Sequence, residues 1–209
     1  MATDTVKVQT RVGPSNPVAD GSSDEYLRTG RQGELILNLA GGEYEEACSR
    51  GELYCACNQA EVTYGTALTA TAVTFTLYNP VGSTHDLVLL QIGIATRTSS
   101  TAGHLVLAAN VNNAAAAPAT NTELTIRNCK LDGSAGVAKA YSATTLPAAP
   151  LAIMALMSMG VTVTGEGQFV DVKGGVILGP NTAVTVQGIT VVGTGIISMT
   201  WRERKRLAA

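Results

Sequence analysis

Charge is scarce in this chain. Of 209 residues only 14 % are charged and 4 % aromatic, where globular chains carry about 25 % charge. With 45 % hydrophobic residues and a mean hydropathy of +0.19, disorder over most of the length is excluded, because disorder needs low hydrophobicity and high charge. The formal net charge of −2 gives no general attraction to nucleic acid or acidic membranes. Long apolar runs are missing too. The longest, Leu151 to Met159, is about half of the roughly 20 residues a helix needs to cross a bilayer. The residues after Met1 show no basic stretch followed by an apolar one, so the expectation is a soluble protein made in the cytosol.

Groups that do chemistry are equally sparse. The four cysteines are Cys48, Cys55, Cys57 and Cys129, and a cytosolic compartment argues against pairing them as disulfides. Cys55-Ala-Cys57 is tighter than zinc-site spacing and lacks a second pair of ligands. Its alternation predicts both thiols on one strand face, packed as small hydrophobes in the core. Of the two histidines, His104 has no nearby acid. His85 adjoins Asp86, a fragment of a hydrolytic triad, but the pair follows a turn and reads as turn polarity. No Gly-x-Ser-x-Gly elbow or phosphate-binding loop occurs. Gly165-Glu-Gly167 reads as a turn between strands, not a dinucleotide fingerprint. The expectation is a protein that is not an enzyme, with no cofactor and no metal.

What the sequence does hold is strand pattern. Ala72-Val-Thr-Phe-Thr-Leu-Tyr78 alternates apolar residues with threonine and ends at the turn Asn79-Pro-Val-Gly82, the period of two expected of a half-buried strand. Leu87 to Ala95, Leu105 to Ala109, Glu123 to Arg127, Gln168 to Val172, Gly175 to Leu178, Ala183 to Gln187 and Gly195 to Trp201 continue the series. Glu34 to Leu39, Leu53 to Cys57 and the shorter Glu43 to Ala47 are earlier candidates. Asn110 to Asn121 reads as a loop, and Leu151 to Met159 fits a buried strand or a short buried helix. Seven or eight strands about ten residues apart, with no long amphipathic helix between them, predict an all-β antiparallel sandwich.

Charge is also uneven along the chain. Ten of the 16 acids lie between Asp4 and Glu61, whereas Val62 to Trp201 hold five acids and five bases. Residues 1–32, rich in Gly, Pro, Ser and Asp, read as an extended N-terminal arm. Residues 33–203 form the sandwich and residues 204–209 a basic tail. The strands' outward positions carry Thr, Ser, Ala or Gly, which face protein without the desolvation cost of charge, so much of the outer surface is expected to meet other protein. Arg11, Arg28 and Arg31 in the arm, and Arg202, Arg204, Lys205 and Arg206 at the other end, are the candidate partner contacts. The terminal cluster suits a phosphate backbone or an acidic groove on a protein. With no basic stripe elsewhere and few rings for stacking, nucleic acid is not expected.

Several segments carry a resemblance: Gly33-Glu-Leu-Ile36, Asn58-Gln-Ala60, Phe75-Thr-Leu-Tyr-Asn-Pro80, Leu87-Val-Leu-Leu-Gln-Ile-Gly93, Gly174-Gly-Val-Ile-Leu-Gly-Pro-Asn181 and Gly195-Ile-Ile-Ser-Met-Thr-Trp-Arg-Glu203. In layout the chain resembles the jelly-roll cement or decoration proteins of tailed-bacteriophage heads. The resemblance implies a jelly-roll-like sandwich, self-association as a homotrimer, and a place on the virion capsid exterior bridging subunits of the major capsid protein. It implies no small-molecule substrate and no membrane partner. Two alternatives stay open: a phage tail, neck or fibre component, and a carbohydrate-binding module displaying Tyr26, Tyr44, Tyr54 or Tyr64.

Overall fold

A computed structural model describes residues 44–72, 74–99, 101–110, 117–161 and 164–206, and residues Tyr44–Ala209 form one compact unit. The arm, Arg11, Arg28, Arg31, Tyr26 and the candidate strand Glu34 to Leu39 lie outside the described residues. The elements are α1 (Glu45–Ser49), β1 (Leu53–Cys57), β2 (Val62–Thr63), β3 (Thr71–Ala72), β4 (Phe75–Asn79), β5 (His85–Ser99), β6 (Gly103–Asn110) and β7 (Ala119–Glu123). They continue with β8 (Arg127–Asn128), β9 (Lys139–Thr145), β10 (Leu151–Met159), β11 (Thr164–Leu178), β12 (Thr182–Ile189) and β13 (Gly193–Lys205).

These strands build two antiparallel sheets. One runs β11-β5-β13-β1-β8 with β2 beside β13, the other β10-β6-β12-β4-β9-β3 with β7 beside β9. Eight strands pair as nested hairpins, outermost with outermost: β1 with β13, β4 with β12, β5 with β11 and β6 with β10. Folding that long hairpin over gives the two four-stranded sheets of a jelly roll. The segment β7–β8–β9 is an insertion between β6 and β10, and it widens both sheets on the side of β1 and β4.

Inward residues of both sheets form a single core, including Phe75, Leu77, Leu87, Leu89, Ile92, Ile94, Leu105, Leu107, Val186, Ile197, Met199 and Trp201. Leu87 and Leu89 are out of phase with Ile92 and Ile94. The slip falls where the β5–β13 register jumps between Thr200 and Trp201, a bulge that absorbs one residue and keeps both pairs inward.

Buried neutral amides secure the places where strands leave their sheets. The Asn79 amide donates to the His85 and Leu178 carbonyls at 2.9 Å each, joining the end of β4, the start of β5 and the end of β11. Asn58 donates to the Thr74 carbonyl at 3.0 Å and accepts from the Ile197 amide at 3.3 Å. Asn110 donates to Ala148 at 2.8 Å, and Gln187 both donates to and accepts from the Thr69 backbone.

Glu203 is the one buried carboxylate among the described residues, 6 % exposed. It accepts from the Val137 amide at 2.8 Å, the Ala138 amide at 3.0 Å and the Trp201 indole N–H at 3.3 Å. Trp201 stacks on Tyr54 with ring centroids 6.4 Å apart. A Cβ at Gly136 would sit 2.5 Å from Glu203 Oε1, so glycine there leaves room for the carboxylate.

Four expectations change. Glu43 to Ala47 is not a strand: Glu45–Ser49 is a helical turn, with two glutamates in its first turn, where the helix dipole favours them, and an Arg50–Glu46 pair at 2.8 Å. Gly165-Glu-Gly167 is not a turn between strands but part of β11, paired to β5 through Glu166 and Gly167, with Gly165 at φ 71°. Ala119–Asn121, at the end of the expected loop, belong to β7, and Lys139–Thr145 form a strand, β9, for which the sequence predicts no element. Leu151–Met159 is a strand, but an exposed one over its first half and not a buried one.

Glu203→Ala is expected to lower stability by about 3 kcal/mol or more, since it strands three buried donors at roughly 1–3 kcal/mol each. Glu203→Gln, which keeps one acceptor oxygen, is expected to lose less. Urea denaturation of both variants checks the order.

Candidate interaction surface

The basic tail is not a tail. β13 pairs with β5 out to Lys205 opposite His85, and the Arg206 amide still donates to the Thr84 carbonyl at 2.9 Å. Alternation sends Arg202 and Arg204 outward, where each meets an acid. Arg202 binds Glu52 at 2.6 Å. Arg204 and Arg206 approach the two oxygens of Asp86 at 3.5 and 3.4 Å. The expected patch is thus an ion-pair ladder, in which Lys205 stands exposed. Arg202 is neutralised by Glu52, but Arg204 and Arg206 share the one Asp86, so a partner would meet a patch only partly neutralised. The acids that balance them come from the chain's first half, and their spatial nearness is invisible in sequence.

Beyond that ladder the middle of the outer face of the first sheet is uncharged. Gln91, Gly93 and Ala95 of β5 lie beside Thr200, Ser198 and Ile196 of β13, which lie beside Cys55 and Cys57 of β1. The flanking strands add charge to this face: Asp171 of β11 lies opposite Gln91 and accepts from its amide at 3.0 Å, and exposed Arg127 of β8 lies opposite Cys55. The expectation of small, uncharged outward side chains holds for this middle stretch alone. Phe169 of β11 pairs with Gly93 and is 73 % exposed. A Cβ on Gly93 would stand 2.9 Å from its ring, so the glycine lets the ring lie over the sheet.

Cys55 and Cys57 correct the core reading. Tyr54 and Ala56 join the core, so alternation turns both thiols of β1 to the outward face, where they are partly exposed. The pattern was right and the choice of face was wrong, because β1 begins its inward set at an even position.

The two sides of the sandwich differ at their edges. On one side the first sheet ends in the two-residue β8 and the second in the five-residue β7, which pairs with β9 on the side away from β3 and β4. On the other they end in β10, nine residues, and β11, fifteen residues. Among the described residues β10 pairs only with β6 and β11 only with β5. β10 carries no charge. Leu151 and Ile153 on β10 and Ile177 on β11 are 74 %, 48 % and 51 % exposed. A groove of about 390 Å³ runs between these strands, lined by Ile153, Met154, Val176 and Ile177. Proteins usually blunt such edges with short strands, lysines or proline. Bulges between Ala152 and Met154 and between Ala155 and Met157 bend β10 without shortening it.

Other candidates are occupied elsewhere. His85 Nδ1 lies 3.0 Å from Thr84 Oγ1, and Asp86 sits between its two arginines. Tyr54 and Tyr64 are buried and Tyr44 is partly buried, so among the described residues these rings make no platform for sugar. A polar groove of about 700 Å³ includes Glu61 and Glu123, which are paired with Arg97 at 3.0 Å and Lys139 at 3.7 Å. Among the described residues no three Cys, His, Asp or Glu side chains are grouped to hold a metal ion.

The ladder at Asp86 is surface electrostatics, so Asp86→Ala is expected to cost about 1 kcal/mol or less near 0.05 M salt. The loss should shrink at about 1 M salt, where screening acts within roughly 3 Å. Thermal unfolding at the two ionic strengths checks this.

The chain matches no known protein family, no curated protein and no solved structure.

Proposed function

We propose that this chain is a structural protein of a bacteriophage particle and not an enzyme, one that cements or decorates the capsid by bridging major capsid protein subunits. The observation that carries the reading is the long uncharged edge β10, lying beside the apolar end of β11 from Val176 to Leu178, on one side of a jelly roll. A monomer in water gains nothing from such edges and risks aggregation. A protein that lives in an assembly uses them.

Copies associate through that side, and the preferred state is a trimer. Around a three-fold axis one patch meets a different patch on the next copy, and two unlike edges side by side supply that asymmetry. The outer face of the first sheet, uncharged along its middle and with Phe169 as its large apolar side chain, is the surface offered to the shell. Its middle can be covered without burying charge, and Asp171 and Arg127 at its margins call for partners of opposite charge on the shell.

A phage tail, neck or fibre component is the second reading, favoured by the same edges, and the experiment separates the two. Light scattering on the purified protein should give stable trimers, and co-sedimentation with shells lacking the protein should saturate at fixed stoichiometry. Trimers that ignore shells would move the reading to the tail, and a monomer that ignores them would end both. The double variant Leu151→Lys, Ile153→Lys should keep its melting temperature within about 2 °C, as exposed positions do, and fail to trimerise.

A further inference from the structure

We propose that Cys55 and Cys129 form a reversible dithiol site, modified by low-molecular-weight disulfides and closing to a protein disulfide. The inference is independent of the phage reading. It rests on strand register. β8 pairs with β1 so that Tyr54 faces Asn128 and Cys55 faces Arg127, and the Cys129 amide continues the ladder by donating to the Leu53 carbonyl at 2.8 Å. Cys129 therefore lies diagonally across from Cys55 on the outward face, and each thiol shifts the other's pKa. Both are partly exposed.

The surroundings hold this contact in place. Asn128, turned inward between them, donates to the Gly51 carbonyl at 2.7 Å and the Ser134 carbonyl at 3.2 Å, and accepts from the Lys130 amide at 2.9 Å. The loop bearing Cys129 is thus tied down on both sides. The other two thiols have different settings. Cys57 donates to the Asn58 carbonyl at 3.4 Å, and burial pushes its pKa up. Cys48 is carried on α1 and lies near enough to Cys129 to help raise its pKa.

The roles follow from this proximity. The Cys129 side chain stabilises the Cys55 thiolate, bringing the Cys55 pKa down to about 6 against the opposing effect of burial, while the Cys129 pKa is raised. Near neutral pH Cys55 is the nucleophile. Its thiolate attacks one sulfur of a small disulfide, the S–S bond breaks, and one thiolate leaves to take up a proton. Cys129 then loses its proton and attacks the Cys55 sulfur of the mixed disulfide, expelling the second small thiol. Two protein thiols are oxidised to one disulfide and one small disulfide is reduced to two thiols. Diagonal sheet neighbours stand about 7–8 Å apart, at the upper limit of disulfide reach. Closing the bond draws Cys129, just beyond β8, toward β1 against the hydrogen bonds that hold Asn128, and a bond strained in this way stays easy to reduce.

The test exposes the reduced full-length protein to excess glutathione disulfide at several pH values, quenches with acid, and maps the products by peptide mass. The expected main product links Cys55 to Cys129, preceded by a glutathione adduct at Cys55 whose formation rate is half-maximal at a pH of about 6. Cys129→Ser, which keeps a hydroxyl donor, should trap that adduct. Cys55→Ser should prevent both products while melting like the parent. A first adduct on Cys48 or Cys57, a dominant link other than Cys55–Cys129, or no link at all would overturn the proposal.

Discussion

A jelly roll makes its chain cross repeatedly between two sheets, and at each crossing backbone carbonyls lose their ladder partners inside an apolar core. An unpaired buried carbonyl is costly, so the fold depends on what replaces the ladder there. In this protein the replacement is a set of neutral amides. Asn58 holds the exit of β1 against the entry of β4, Asn79 holds β4, β5 and β11 together, and Asn110 closes the insertion that ends at β10. An amide both donates and accepts without the desolvation penalty of an ion. A chain with 14 % charged residues can therefore bridge these crossings with almost no buried charge.

Glu203 is the exception, and its position explains it. β13 is the central strand of the first sheet, pairing with both β1 and β5, and its β1 partners lie some 140 residues earlier in the chain. That closure is the longest-range step of the fold, of the kind that topology makes slow. The carboxylate receives two amides from the stretch leading into β9 and the indole of Trp201. It thereby fastens the inserted segment to the last strand. The aromatic pair Tyr54 and Trp201 lies at the same junction, so one small region joins the beginning, the insertion and the end of the domain.

The sandwich was legible because its best strands alternate in chemistry. Both faces of Phe75–Asn79 are buried, but Thr74 and Thr76 alternate with Phe75 and Leu77 and keep the period of two visible. Leu124 and Ile126 alternate likewise and pack on the core, although that segment is only partly a strand. β9 lacks such a contrast. Ala140 faces the main core while its neighbour Tyr141 is buried with Tyr78, Leu146 and Ala183 on the other face, and apolar residues on both faces erase the period of two. β11 read as two strands and a turn because Lys173 and Gly174, at φ 50° and 78°, bulge out of a continuous strand. The surface was half legible. Composition foretold a neutral outer face, but partners for Arg202, Arg204 and Arg206 come from Glu52 and Asp86, and no local pattern records that pairing.

What decides between a lone domain and a building block is the treatment of edges. Backbone groups on an outer strand can be satisfied by water, so an unpaired edge alone proves little. The contrast within this one molecule says more. The insertion that widens both sheets ends the first in the two-residue β8 and the second in β7, five residues that include Glu123 and meet β9 with register shifts. The same sequence leaves β10 uncharged along its whole length and sets Leu151, Ile153 and Ile177 in water beside a groove. Selection for solubility as a monomer would act on both sides alike, because a misplaced strand pairs as readily on either. A short or charged and irregular edge on one side, against a nine-residue uncharged one on the other, is the contrast on which the proposed self-association rests.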